Sequence, residues 1–136
     1  MKNTVYLVIT LGLFLSCNSK EEIHPQTALD AGRDFIRASL NGDFKNAELL
    51  LLKDTQNLQL FESYKTFYDR LPADKKKNYK EASYNINKYM DVDDSTSIIN
   101  YSNSFMNKPM EIKLVKVNNL WGVDFKYTYS GNSAIK

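Results

Sequence analysis

The sequence predicts an α+β domain in which N-terminal helices pack on a four-stranded antiparallel sheet. Three observations lead there. Apolar residues recur at helical spacing from Ala28 to Leu71 and at twofold spacing from Tyr84 to Tyr129. The twofold segments are separated by Asp93-Asp94, Asn107-Lys108-Pro109 and Asn118-Asn119, turns short enough for hairpins, which makes neighbouring strands antiparallel. Runs of helix followed by runs of strand give α+β rather than alternating α/β order.

Each element has a local reason. Thr27-Ala28-Leu29-Asp30 fits a capping box and opens a helix with Leu29, Gly32, Ile36 and Leu40 on one stripe and Phe35 at its edge. Asn41-Gly42 closes it, because glycine tolerates the left-handed C-terminal position. Asp43 caps a second helix predicted from Phe44 to about Lys53, whose Leu49-Leu50-Leu51-Leu52 run points to burial between layers. Asp54 or Thr55 caps a third, with Leu60, Tyr64, Phe67 and Leu71 in line, Phe61 and Tyr68 widening the face, and Pro72 as its stop. Residues 73 to 82 add one or two polar turns, in which Lys75-Lys76-Lys77 reads as a solvated face.

The strands follow. Tyr84, Ile86, Met90 and Val92 alternate around Lys88, and Ile99, Tyr101 and Phe105 mark the second strand. Met110, Ile112 and Leu114 alternate before Val115 and Val117 take the other face, which predicts a bulge near Leu114. The last strand is expected to run from Trp121 to Tyr129. Trp121, Val123, Phe125, Tyr127 and Tyr129 would lie on one face, and Gly122, Asp124, Lys126 and Thr128 on the other. Trp121 is therefore expected to be largely buried. Residues 27–130 make up the domain and 131–136 a frayed tail.

The N-terminus carries an address rather than fold. Lys2 is a positive n-region, Val5 to Leu15 an apolar h-region, and Phe14-Leu15-Ser16 brings a small residue directly before Cys17, the only cysteine. The apolar stretch falls short of the about 20 residues that span a bilayer. It has the layout of a bacterial lipoprotein signal peptide, so residues 1–16 are expected to be removed and Cys17 to carry lipid. Stable anchoring needs more than one acyl chain, and lipoproteins supply a diacylglyceryl group and usually an N-acyl chain. Residues 17–26 form a polar tether. Its Lys20-Glu21-Glu22, close after Cys17, resembles the export signal of surface lipoproteins in Bacteroidetes, which implies an outer-membrane, surface-exposed lipoprotein.

Composition excludes several classes. Once Lys2 leaves with the first 16 residues, the remaining 120 hold 17 basic and 16 acidic side chains, a balance that argues against a nucleic-acid partner. Lipidation of Cys17 would leave no thiol for a disulfide, so apolar packing must hold the domain. His24 is the only histidine and lies in the tether, so no Ser-His-Asp or Cys-His arrangement fits the domain. No Cys/His cluster or Gly-rich phosphate loop occurs, and neither a metal nor a cofactor is expected. Asp91-Val92-Asp93-Asp94-Ser95 lacks the mid-loop glycine and distal glutamate of a calcium loop and reads as a solvated hairpin turn.

Three stretches carry a resemblance: Ala31 to Ala47 with its Leu40-Asn41-Gly42-Asp43-Phe44 link, Gln56 to Leu71, and the hairpin Lys113 to Phe125 with valine, turn, tryptophan, valine. They resemble the nuclear transport factor 2-like (cystatin-like) superfamily, and more closely its small lumazine-binding-protein-like lipoprotein domains of unknown function from Bacteroidetes. The resemblance implies a curved sheet around a cone whose open end can hold an apolar ligand. Tyr64, Phe67, Tyr101, Trp121, Phe125 and Tyr129 are the candidates for that lining, with simple core packing as the plainer role. Some superfamily members are isomerases with an Asp base and a Tyr donor. Asp124 alternates onto the face opposite Trp121, which argues against that chemistry here. The expected function is a non-catalytic accessory domain, anchored to the membrane through Cys17, that binds an apolar small molecule or a protein. The alternatives are an isomerase-like enzyme with a Tyr/Asp pocket and a partner-binding, immunity-type lipoprotein without a cavity.

Overall fold

Thr27 is the N-cap of α1 (Ala28–Asn41), accepting from the Asp30 N–H at 3.1 Å while its hydroxyl donates to the Asp30 carboxylate at 2.7 Å. Gly42 ends α1 at φ 71°, a left-handed conformation that favours glycine. α2 (Phe44–Leu49), capped by Asp43, α3 (Thr55–Asp69), capped by Asp54, and α4 (Ala73–Glu81) follow. The strands are β1 (Tyr84–Asp93), β2 (Thr96–Asn103), β3 (Pro109–Val117) and β4 (Leu120–Val123), and α5 (Phe125–Tyr129) comes last. The computed structural model describes residues 24–129, and of Tyr129 only the backbone. The expectations for the signal peptide, Cys17, Lys20-Glu21-Glu22 and the tail lie outside these residues.

The four strands form one antiparallel sheet in sequence order. Hairpins fix that order, and Asn118 and Asn119 take φ 51° and 62° in the last of them. Ile99, Ile112, Leu114 and Val123 line one face, all fully buried, and meet Ala31, Phe35, Ile36 and Phe61 from the helices. Gly32 lets α1 lie directly on this face, since a Cβ there would stand 2.2 Å from Ile99 Cδ1 and 3.3 Å from Ile112 Cδ1.

Four sequence expectations are corrected. The second helix stops at Leu49 rather than near Lys53. Leu50 is the C-cap, and Leu51 bridges to Val123 in parallel, with Val123 N–H donating to Leu50 O at 2.7 Å and Leu52 N–H to Val123 O at 3.0 Å, so the edge of β4 is paired there. The last strand ends at Val123, and Phe125 to Tyr129 turn into α5, which packs on β3 and α3. The β3 registers on both sides are regular, without a bulge near Leu114; the irregularities lie in β1, at Asn87 and Val92. The buried stripe of α3 is Asn57, Phe61 and Tyr68, one residue round from the predicted Leu60–Phe67 line.

Candidate functional site

The helix-facing side of the sheet is apolar at its centre and rich in tyrosine toward one end. β2 and its neighbours place Tyr101 in register with Ile86 on one side and Met110 on the other. α3 brings Tyr64 and Tyr68 over this end, and α4 brings Tyr79. Tyr68 and Tyr79 lie with ring centroids 6.0 Å apart, and Tyr79 meets Phe105 edge-on at 4.6 Å. Tyr64, Tyr79, Tyr101 and Phe105 are only partly buried, so solvent still reaches this aromatic seam between α3, α4 and the sheet.

The seam is a place of retained protons. Burial pushes the Tyr101 hydroxyl up to about 12, and the nearby Tyr79 adds to the rise. Burial raises Tyr64 further still, and Tyr101, Tyr79 and Tyr68 add to the rise. Tyr79 donates to Met106 Sδ at 3.3 Å. The hydroxyls of Tyr64 and Tyr101 have no hydrogen-bond partner among the described residues. Each is a neutral donor and acceptor with capacity to spare.

The six expected lining residues separate. Tyr64 and Phe125 meet at 5.8 Å, and Phe125 packs onward against Phe61 at 5.2 Å and Phe35 at 6.2 Å, so it serves as core beneath the seam. Tyr101 belongs to the seam itself. Phe67 is 56% exposed and takes no part, because α3 turns its neighbours Tyr64 and Tyr68 inward instead. Trp121 is half-buried at the far end of the sheet, with Lys116 Nζ 4.8 Å over its ring, and is less buried than expected. The backbone of Tyr129 lies in α5, and its side chain is outside the described residues. Tyr68 and Tyr79 also border the seam and were not among the six. Tyr79 sits in a stretch whose lysines made it read as a solvated helix.

A second polar centre surrounds α5. Asn57, fully buried, accepts the Lys126 N–H on Oδ1 at 2.8 Å and donates from Nδ2 to Asp54 at 2.6 Å. Lys126 Nζ lies 3.3 Å from Asp54 and 3.7 Å from Asp124, and Lys113 Nζ is 3.7 Å from the other Asp124 oxygen. The partners of Asp124 are thus two lysines and not a tyrosine. On the sheet face away from α1, Tyr127 donates to Glu111 at 3.1 Å, and Asn87 donates to Asn100 at 3.0 Å. The first of these fastens α5 to β3, and the second links β1 to β2.

Two further features lie outside the seam. A groove of about 350 Å³ lies against α1 and α2, lined by His24, Pro25, Asp34, Ala38, Asn46, Leu49 and Leu50, and includes none of the tyrosines. In the hairpin turn, Asp93 accepts from Ser95 N–H at 2.8 Å, and Asp91 accepts from Ser97 at 2.6 Å and from Tyr89, so these carboxylates are engaged locally. Among the described residues no group of three or more His, Cys, Asp or Glu is placed to hold a metal ion. Comparison with family models, curated proteins and solved structures returned no match.

Proposed function

We propose that this chain is a surface lipoprotein, anchored through lipid on Cys17, whose nuclear transport factor 2-like domain binds a small apolar ligand without catalysis. The seam carries the ligand reading: two raised, unpartnered tyrosine hydroxyls stand at an aromatic surface that solvent touches between the helices and the sheet. Binding sites combine mostly apolar walls with few polar groups that orient the ligand, and this seam has that composition. The non-catalytic reading is supported by Asp124, which is 7% exposed and flanked by Lys113 and Lys126 rather than aimed at a tyrosine. The fold reading is supported by the antiparallel sheet with helices on one face.

The test is a thermal-shift screen of the full chain against small aromatic and aliphatic compounds. Binders are expected to raise Tm in the parent, and Tyr64→Phe with Tyr101→Phe to leave the unliganded Tm unchanged while reducing the rise. A screen without any binder would overturn the small-ligand reading in favour of the protein-partner alternative.

A further inference from the structure

We infer that the ligand of the tyrosine seam is an anionic amphiphile, an apolar body ending in a single carboxylate. This rests on the seam's being the ligand site. The observation is a set of cations stacked on the rings that surround it. Lys75 Nζ lies 5.8 Å from the centroid of Phe105, Lys76 Nζ 5.9 Å from that of Tyr68, and the Arg37 guanidinium 5.1 Å from that of Tyr84. Tyr84 stands two residues before Ile86, the strand neighbour of Tyr101.

None of the three cations is ion-paired among the described residues. Their hydrogen bonds go to backbone carbonyls: Lys76 to Asp69 O at 2.8 Å and Arg37 to Ala82 O at 3.2 Å. The contrast within α4 is informative. Lys77, on the outward side, pairs with Glu81 at 3.8 Å, whereas Lys75 and Lys76 lean over aromatic rings without a carboxylate. The acidic group that opposes them is Asp69, whose charge is felt at Tyr68.

A cation over a ring gains modest energy when exposed and more when desolvated. A bound ligand would desolvate these contacts and bring its own negative charge between them. The tyrosine hydroxyls keep their protons at neutral pH and can donate to an acceptor-only head group. An uncharged apolar ligand would use the rings and leave the cations idle. A cationic one would meet three like charges.

The experiment is calorimetric titration of the full chain with 2-naphthoate and with its uncharged isostere 2-naphthamide. Naphthoate is expected to bind about tenfold more tightly, the scale of two partly exposed charge contacts, and to weaken with added salt. Lys75→Gln with Lys76→Gln should erase that preference and leave naphthamide binding unchanged. Lys75→Arg with Lys76→Arg should retain it, and this pair also controls for folding. If naphthamide binds as well as naphthoate and both respond to Tyr101→Phe, the seam is a ligand site and the anionic inference is wrong. A naphthoate preference that survives the glutamine pair also overturns the inference. If neither probe binds, both the inference and the ligand reading fall.

Discussion

At the scale of single residues, burial and not aromatic identity separates structural from peripheral rings. Phe61 is 1% exposed and touches Phe35, Phe44, Tyr64 and Phe125, so its ring is the hub of the helix-side core. Trp121 is larger, yet it stands at the end of a four-residue strand with Lys116 stacked on it. Removing a fully enclosed ring loses transfer energy and leaves a cavity, whereas a half-exposed ring loses only part of its contact area. Phe61→Ala is therefore expected to cost about 3–5 kcal/mol and Trp121→Ala about 1–2 kcal/mol. Urea denaturation of the two variants checks the order. A Trp121 loss equal to that of Phe61 would show that the end of the sheet is packed more tightly than its geometry indicates.

At the scale of elements, α5 is the piece held by polar contacts that converge from distant parts of the chain. Asp54 caps α3 and also reaches Lys126. Its carboxyl is held below the ordinary value of 3.8, first by the Asn57 N–H, against the opposing effect of burial, with the side chains of Lys126 and Asn57 adding to the fall. A depressed folded value means stability that is present above the unfolded value, near pH 4, and lost as pH falls through the folded value. Asp54→Asn keeps a good N-cap and removes the charge. It should cost about 0.5 kcal/mol at neutral pH, the scale of an exposed pair, and lose less stability than the parent between pH 5 and pH 2. Parallel acid profiles for the two chains would show that Asp54 does not contribute. This same region explains what the sequence hid. Caps, hairpin asparagines and the twofold pattern through Ile99, Ile112 and Leu114 are local signals, and each of these elements was legible. Phe125, Tyr127 and Tyr129 alternate as a strand would, and nothing local reveals that Asn57, far back in α3, takes the Lys126 N–H. Leu50 to Leu52 read as helix for the same reason, since their partner Val123 lies some 70 positions later. Of the seam, Tyr64 and Tyr101 were legible from their periodicity. Tyr68 was read only as the widening of a face, and Tyr79 was hidden by the lysines around it.

At the scale of the whole molecule, the proposed anchor on Cys17 would decide where the domain acts. Seven residue steps separate Cys17 from His24, the first described residue. Fully extended, they reach about 25 Å at roughly 3.5 Å per residue. If Cys17 carries the lipid, His24 and the start of α1 close behind it are held within about that reach of the headgroups. Two variants separate anchor from address. Cys17→Ser should abolish lipid labelling and move the chain from the membrane fraction to the soluble one, because two or more acyl chains supply the stable attachment. Lys20→Ala, Glu21→Ala and Glu22→Ala together should leave membrane partition unchanged and protect the domain from protease added to whole cells. Fractionation with protease shaving of intact cells reads both. Membrane partition that persists in the serine variant would place the anchor elsewhere in the chain. A triple variant cleaved as readily as the parent would show that the charged residues of the tether are only solvated spacer, and that any surface exposure is set by another part of the chain.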